Sequence, residues 1–132
     1  MKFIPYLVFK GNAEQAMNYY KVVLEGQITN VQRFSDMKTE PTPEAYKNYV
    51  LHGELRFGDL VIYFSDSPQG VAMGDNVTLL LDCSSEAEVD RLYKALSVDA
   101  EIHMPLQKTF WNAKYANIKD KFGVTWQLNY QY

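Results

Sequence analysis

The order of predicted secondary structure repeats within this chain. The first half predicts a strand, a helix and three further strands, and the second half predicts the same order again. Matched fragments accompany the repeat: Tyr20-Lys21 and Tyr93-Lys94 lie in the two predicted helices, and Phe57-Gly58 and Phe122-Gly123 precede the last strand of each half. Because an internal repeat determines the architecture of a chain, the sequence predicts a single α+β domain, residues 1–132, built from two β-α-β-β-β modules at about 1–68 and 75–132.

Local signals set the limits of these elements. Asn12 is a typical helix N-cap and Gly26 a typical terminator, so the first helix is expected to end near Leu24. Gly58-Asp59 between two alternating stretches predicts a tight hairpin, and Pro41 and Pro43 predict an irregular loop in residues 35–46. Strands are therefore predicted at 3–9, 27–34, 49–57, 60–65, 77–82, 100–104, 115–118 and 124–130, and the second helix at 86–96.

Composition excludes several classes of function. The net charge is −3, whereas a protein that binds the phosphate backbone is expected to be basic, so nucleic acid is a poor partner. No stretch approaches the roughly 20 apolar residues that span a bilayer, so no membrane segment is expected. Cys83 is the single cysteine, which excludes an intrachain disulfide and fits a reducing cytoplasm.

Several fragments together resemble a known protein family. They are Pro5-Tyr6-Leu7-Val8-Phe9 with Gly11-Asn12-Ala13, then His52-Gly53-Glu54-Leu55, then the run from Met104 to Trp111, and finally Asp120-Lys121-Phe122-Gly123-Val124-Thr125-Trp126. In this order and spacing they resemble the PhnB-like branch of the vicinal oxygen chelate (glyoxalase/bleomycin-resistance/extradiol dioxygenase) superfamily, over essentially the whole chain. The resemblance implies that the strands of paired modules curl into a half-open barrel around a cavity, commonly in a homodimer, and that the cavity binds a small organic molecule.

The resemblance also implies where a metal ion would be held. Metal-dependent members of the superfamily take one ligand from the first and one from the last strand of each module, positions that fall here on or near Pro5, Ile62, Thr78 and Gln127. Ile62 and Gln127 are each placed by counting four residues from the glycine before the last strand, Gly58 and Gly123. Proline and isoleucine have no donor atom, and threonine and glutamine are weak neutral ligands. We therefore expect no metal at these positions and no cofactor. In the alternative interpretation, a divalent metal serves a lyase, isomerase or dioxygenase that uses His52 and Glu54.

Alternation along one strand identifies the candidate catalytic pair. In residues 49–57, Leu51, Gly53, Leu55 and Phe57 fall on one face, and His52, Glu54 and Arg56 fall on the other. In the fold implied by the resemblance the second face lines the cavity, so His52 and Glu54 are a candidate general acid/base or two-ligand pair, and Arg56 is a candidate ligand contact. The other interpretation is that His52, Glu54 and Arg56 form a solvated or mutually ion-paired strip, which is common for charged residues on one strand face.

The second module supplies the remaining candidates. Phe110 and Trp111 precede a strand, where an aromatic side chain caps a pocket or closes the hydrophobic core. Gln127 lies on the polar face of the last predicted strand. We expect these three residues to bind the ligand.

Catalysis and simple binding both stay open at this point. An enzyme of the superfamily is one class, and a module that sequesters an aromatic or cationic compound is the other. Relatives of this kind are also described as related to 3-demethylubiquinone 3-methyltransferase, but the sequence has no glycine-rich cofactor loop that would support methyl transfer.

Overall fold

Each half of the chain forms its own four-stranded sheet with one helix. The structure is a computed structural model that describes residues 1–38 and 41–132, so part of the predicted loop at 35–46 lies outside the described residues. The chain separates into two compact units, Met1–Ala72 and Met73–Tyr132. We call them unit 1 and unit 2 and describe each by itself.

Unit 1 has the order β-α-β-β-β. Its elements are β1 (Tyr6–Phe9), α1 (Ala13–Val23), β2 (Gln27–Arg33), β3 (Val50–Phe57) and β4 (Leu60–Asp66), with two short 3-10 turns, Phe34–Asp36 and Glu44–Tyr46, between β2 and β3. The sheet order is β1-β4-β3-β2, with β1 parallel to β4 and the other neighbours antiparallel.

Unit 2 repeats this arrangement. Its elements are β5 (Leu79–Asp82), α2 (Glu86–Leu96), β6 (Glu101–Lys108), β7 (Ala113–Lys119) and β8 (Thr125–Gln131), in the sheet order β5-β8-β7-β6. The predicted α+β class and the repeated element order are confirmed, and both sheets have free edges instead of closing into a barrel. The largest error in a strand limit is in β6, which runs four residues past the predicted end and through Pro105; β6 is an edge strand with two register shifts, the setting in which a sheet tolerates proline.

The hydrophobic core of each unit lies between its helix and one face of its sheet. In unit 1 the helix approaches the sheet closely at Gly53, where an added Cβ would lie 2.4 Å from Cε of Met17, and Leu55 on the same strand is fully buried. In unit 2, Trp126 and Leu128 are buried on the side of α2. Alternation turns the intervening side chains to the opposite side, which we call the far face of each sheet.

In both units a buried carboxylate accepts hydrogen bonds that hold neighbouring loops in place. Asp66 at the end of β4 accepts hydrogen bonds from the backbone N–H groups of Gly11 (2.8 Å), Ala13 (2.9 Å) and Val50 (2.9 Å). These bonds fix the start of α1 and the start of β3 against the end of β4. In unit 2, Asp120 accepts from the indole N–H of Trp126 at 2.8 Å and from two backbone N–H groups of its own loop.

Both helices are eleven residues long. Within the described ranges, no helix has the length and apolar character needed to cross a membrane.

Candidate functional site

A chain of hydrogen bonds crosses the far face of unit 1. The hydroxyl of Tyr6 on β1 lies 2.8 Å from Nδ1 of His52 on β3, and Nε2 of His52 lies 2.9 Å from Oε2 of Glu54. The second carboxylate oxygen of Glu54 accepts from Nδ2 of Asn30 at 3.1 Å and from the guanidinium of Arg56 at 2.5 Å. Strand alternation therefore places His52 and Arg56 on either side of Glu54, and both bond to its carboxylate.

Glu54 is the buried centre of this group. Its side chain is only 9% exposed, against 25% for His52 and 52% for Arg56. The hydrogen bond with His52, followed by those from Asn30 and Arg56, holds the pKa of Glu54 below its ordinary value of 4.5, although burial acts to raise that pKa. Glu54 is thus an ionised carboxylate at neutral pH, and both of its oxygens are already engaged.

A bulge in β2 explains how Asn30 reaches the carboxylate. The register between β2 and β3 shifts after Thr29, and Asn30 has a positive φ of 53°. Asparagine adopts this left-handed conformation more readily than most residues, and a bulge re-aims the side chain at that position. The amide therefore turns toward Glu54.

Two tyrosines frame the imidazole of His52. Tyr6 and Tyr63 are cross-strand partners on β1 and β4, and Tyr63 is also the partner of Glu54. The Tyr63 ring meets His52 edge-on with centroids 4.8 Å apart, and the Tyr6 and Tyr63 rings are 5.7 Å apart, also edge-on. Tyr6 is 47% exposed, so its hydroxyl is the accessible end of the hydrogen-bonded chain.

The structure corrects the register assumed for the inherited metal positions. Ile62 is only 3% exposed and pairs with buried Leu55, so it belongs to the face packed against the helix, and its neighbour Tyr63 occupies the far face instead. Pro5 precedes β1, and its carbonyl accepts a hydrogen bond from the Tyr63 N–H. Proline and isoleucine have no side-chain donor atom, so neither Pro5 nor Ile62 could bind a metal ion whichever face of the sheet it occupied.

The remaining inherited positions do not fit a divalent cation either. The amide of Gln127 donates to the Thr78 hydroxyl at 2.7 Å and accepts from the Tyr115 hydroxyl at 2.6 Å, so these neutral groups satisfy one another. Among residues 1–38 and 41–132, no three His, Cys, Asp or Glu side chains are grouped in a way that could hold a metal ion. The donor set thus lacks the charged or imidazole ligands that a superfamily metal requires.

The predicted residues of unit 2 are connected through Tyr115. Phe110 and Trp111 lie in the turn between β6 and β7 with ring centroids 4.8 Å apart, and Trp111 lies 5.8 Å from the ring of Tyr115. Tyr115 in turn donates to Gln127. Phe110 is almost fully exposed, and Trp111 is half exposed, so neither closes the hydrophobic core.

The loop between β2 and β3 overhangs a pocket in unit 1. The pocket has a volume of about 380 Å³, within the range of small-molecule sites. Its lining is Val8, Phe34, Met37, Pro41, Thr42, Pro43, Tyr46, Ser65, Asp66, Ser67, Pro68 and Gln69. Val8 and Ser65 pair with each other one pleat beyond Tyr6 and Tyr63 on the far face, so the pocket continues the surface that carries His52.

Three aromatic residues of these clusters were missed from the sequence. Alternation could have identified Tyr115, which shares the polar side of β7 with Asn117 and Lys119, but not Tyr6, because β1 consists of Tyr-Leu-Val-Phe and has no polar side. Tyr63 was missed because the count that selected Ile62 was one residue out of register.

Comparison with known proteins assigns the chain to a family. The family model described as 3-demethylubiquinone-9 3-methyltransferase matches residues 1–129. The chain belongs to this family. Protein YjdN of Escherichia coli (strain K12) is 31% identical, with the alignment covering 98% of this chain and 95% of YjdN.

Solved structures agree with this assignment. The PhnB protein from Bacillus cereus is 27% identical, with a TM-score of 0.84 over 98% of this chain and 99% of that chain. A glyoxylase/bleomycin resistance protein/dioxygenase domain from Frankia sp. EAN1pec has a TM-score of 0.73 at 13% identity, over 100% of this chain and 92% of that chain, and shows likeness of fold alone. The expected PhnB-like family is confirmed, and the fold is that of glyoxalase/bleomycin-resistance proteins.

Proposed function

We propose that this protein binds a small organic molecule against the far faces of its sheets. One observation carries the proposal. The far face of unit 1 presents an oriented polar group, Tyr6–His52–Glu54, beside exposed aromatic surface and a pocket of about 380 Å³. A few convergent polar groups within an apolar surface are the usual composition of a ligand site.

The proposed site residues divide by chemistry. In unit 1, Arg56 is the proposed ligand contact because it is the most exposed of the three charged or polar candidates, and His52 and Glu54 supply hydrogen bonding and charge behind the contact surface. In unit 2, Phe110 and Trp111 supply aromatic surface, and Gln127 supplies an amide. Exposed aromatic side chains of this kind stack against planar or cationic groups.

We propose that binding needs no metal ion. The support is the chemistry of the far-face positions: Tyr63, not Ile62, lies there with its ring against His52, and Thr78 and Gln127 bond to each other. This disfavours the alternative of a metal-dependent lyase, isomerase or dioxygenase that uses His52 and Glu54. Elemental analysis of protein purified without chelator or added metal separates the two, since stoichiometric zinc, nickel, manganese or iron would favour the enzyme.

Methyl transfer is not part of the proposal, although the family description names a methyltransferase. A methyl donor with a nucleoside group needs a binding loop, and this sequence has no glycine-rich cofactor loop after a strand. Fold and family alone do not carry an activity from one protein to another.

We also propose a homodimer in the cytoplasm. Several large apolar side chains are more than a third exposed, among them Val8, Leu80, Ile102 and Met104. Apolar surface of this kind is typically covered by a ligand or by a second subunit. The single, half-buried Cys83 suits a reducing compartment.

The proposal is tested by a thermal-shift screen of small aromatic, cationic and carbonyl compounds on chelator-treated protein. A ligand that binds only the folded state at about 100 times its Kd stabilises that state by about 2.7 kcal/mol and raises the Tm. We expect hits whose shift is lost in Trp111→Ala or Arg56→Ala and kept in Tyr19→Phe, a change on α1. A screen without hits, or hits unaffected by both site variants, would contradict the proposal.

A further inference from the structure

We propose that Tyr6, His52 and Glu54 form a proton-transfer relay in which the Tyr6 hydroxyl, and not His52, meets the ligand, and that this ligand is a weak oxygen acid, a phenol or an enol. The inference rests on the proposed function, because it names the chemistry of the same site. It assigns a proton-transfer role to a tyrosine that sequence reasoning did not select.

The hydrogens of the relay follow from the carboxylate at its inner end. An ionised carboxylate only accepts hydrogen bonds, so the contact between Glu54 and Nε2 of His52 places a hydrogen on Nε2. When the imidazole carries this single hydrogen, its lone pair is on Nδ1. Tyr6 therefore donates its hydroxyl hydrogen to Nδ1 across 2.8 Å.

Among the three relay residues, Tyr6 has the hydroxyl that can still bond to a ligand. Both ring nitrogens of His52 are engaged, one by Tyr6 and one by Glu54, and both oxygens of Glu54 are engaged as well. The Tyr6 hydroxyl retains an acceptor lone pair, and the residue is 47% exposed. A ligand hydroxyl on the far face would thus donate to Tyr6.

The proton transfer is balanced within the relay. As the ligand O–H bond breaks, its proton passes to the Tyr6 oxygen, while the Tyr6 proton passes to Nδ1 of His52. The ligand becomes an oxyanion, Tyr6 remains a neutral phenol, and His52 becomes an imidazolium beside the Glu54 carboxylate. A base oriented by a carboxylate and hydrogen-bonded to a hydroxyl is the arrangement by which enzymes activate that hydroxyl.

The charge of the cluster around Glu54 and the shape of the neighbouring pocket indicate the class of ligand. Glu54 and Arg56 form an ion pair at 2.5 Å, so the resting cluster is close to neutral and accepts a neutral ligand. The imidazolium formed by transfer would then offset the new negative charge of the ligand. Next to Tyr6 on the same face lies the pocket lined by Val8, Phe34 and Tyr46, which suits a planar apolar body attached to the acidic oxygen.

The test uses 4-nitrophenol as the probe, because its phenolate has a visible absorption band that its neutral form lacks. The full-length protein is titrated into the dye at a pH where the free dye is mostly neutral, and binding is followed separately by equilibrium dialysis. We expect the phenolate band to grow with wild-type protein and with Tyr19→Phe. In Tyr6→Phe and His52→Gln we expect the band per bound dye to fall by about tenfold or more.

The remaining outcomes of the dye titration separate failure of the relay from failure of the proposed function. Dye that binds wild-type protein without a phenolate band, or an equal band with Tyr6→Phe, overturns the relay and leaves the proposed function standing. Failure of the dye to bind overturns the phenol assignment, whereas the proposed function fails only if the wider thermal-shift screen is empty.

A second measurement covers the case in which the variants do not fold. Nitrogen-15 NMR of wild-type protein labelled in histidine should show His52 with its hydrogen on Nε2, and Glu54→Gln should weaken that preference because a positioning carboxylate has been lost. The opposite tautomer in the wild-type protein would contradict the relay.

Discussion

Glu54 combines burial with a negative charge, and its neighbours account for both. The hydrogen bond from His52 contributes most to its lowered pKa, and Asn30 and Arg56 add to the effect. Because the folded pKa is below the ordinary value of 4.5, the ionised side chain stabilises the folded state above about that pH. The stabilisation is lost as the pH falls through the lower pKa of the folded protein.

This predicts the pH dependence of one substitution. Glu54→Gln should lower the free energy of unfolding near neutral pH, and the difference from wild type should shrink as the pH is lowered below about 4.5. Urea denaturation across this pH range measures it, with the exposed Glu44→Gln as the control. A difference that stays constant down to the acid limit of the native state would show that Glu54 does not have the lowered pKa.

The thiol of Cys83 should be unreactive in the folded protein. Burial, followed by the nearby charges of Glu88 and Asp82, raises its pKa to about 11, so the reactive thiolate is scarce near neutral pH. Alkylation by iodoacetamide should therefore be slow, should accelerate as the pH is raised, and should become fast when the protein is unfolded in guanidinium. Rapid labelling of the native protein would contradict the assigned environment.

At the level of single residues, the sequence predicts some of the site and misses the rest for a physical reason. Alternation along β3 correctly separates His52, Glu54 and Arg56 from Leu55. The alternation of one strand carries no information on its neighbours, so the bond from Tyr6, two strands away in the sheet, was not foreseen. Asn30 was missed because a bulge interrupts the period-2 pattern of β2.

At the level of elements, the β3–β4 and β7–β8 hairpins show why counting from Gly58 placed the metal position at Ile62, on the wrong face of the sheet. The two-residue turn Gly58-Asp59 closes on the pair Phe57 and Leu60, which alternation assigns to the helix side. The longer loop after β7 closes on Lys119 and Thr125, which belong to the far face. The fourth residue after the glycine is therefore on the helix side in unit 1 (Ile62) and on the far face in unit 2 (Gln127). A shift of one residue in register moves every side chain of a strand to the other face.

Asp66 determines how three elements of unit 1 meet. It accepts three backbone N–H groups, and in asparagine one of its acceptor oxygens becomes a donor that faces another donor. Asp66→Asn should therefore lower the free energy of unfolding by about 1–3 kcal/mol. Asp59→Asn in the β3–β4 turn is the matched control and should change little. Equal stabilities of the two variants in urea denaturation would contradict the role given to Asp66.

At the level of the whole molecule, the internal repeat predicts most of the fold. The element order and one helix per sheet follow once the β-α-β-β-β unit is recognised twice, whereas the strand order and the parallel pairing of the first and last strand of each unit come from the structure alone. The proposed function depends instead on a few side chains, such as Tyr6 on the far face of unit 1 and Trp111 in the turn between β6 and β7. Those positions differ between the two units even though the elements repeat.

The exposed apolar residues predict the oligomeric state. Light scattering at micromolar concentration should give the mass of two chains, 15.3 kDa each. A double substitution of exposed residues to charged ones, Leu80→Glu with Met104→Glu, should shift the equilibrium toward the monomer, with Lys94→Glu on the helix surface as the control. A strictly monomeric wild-type mass would contradict the proposed dimer.

We propose that an organic ligand binds the far faces of the two sheets without a metal ion. NMR mapping of bound compounds is the direct test. The small-molecule hits of the thermal-shift screen are added to chelator-treated, nitrogen-15-labelled protein, and the perturbed backbone signals are assigned. The largest perturbations are expected at Tyr6, His52, Tyr63, Trp111 and Gln127, and added zinc or manganese should not change the affinity. Perturbations confined to α1 and α2, or binding that requires the added metal, would contradict it.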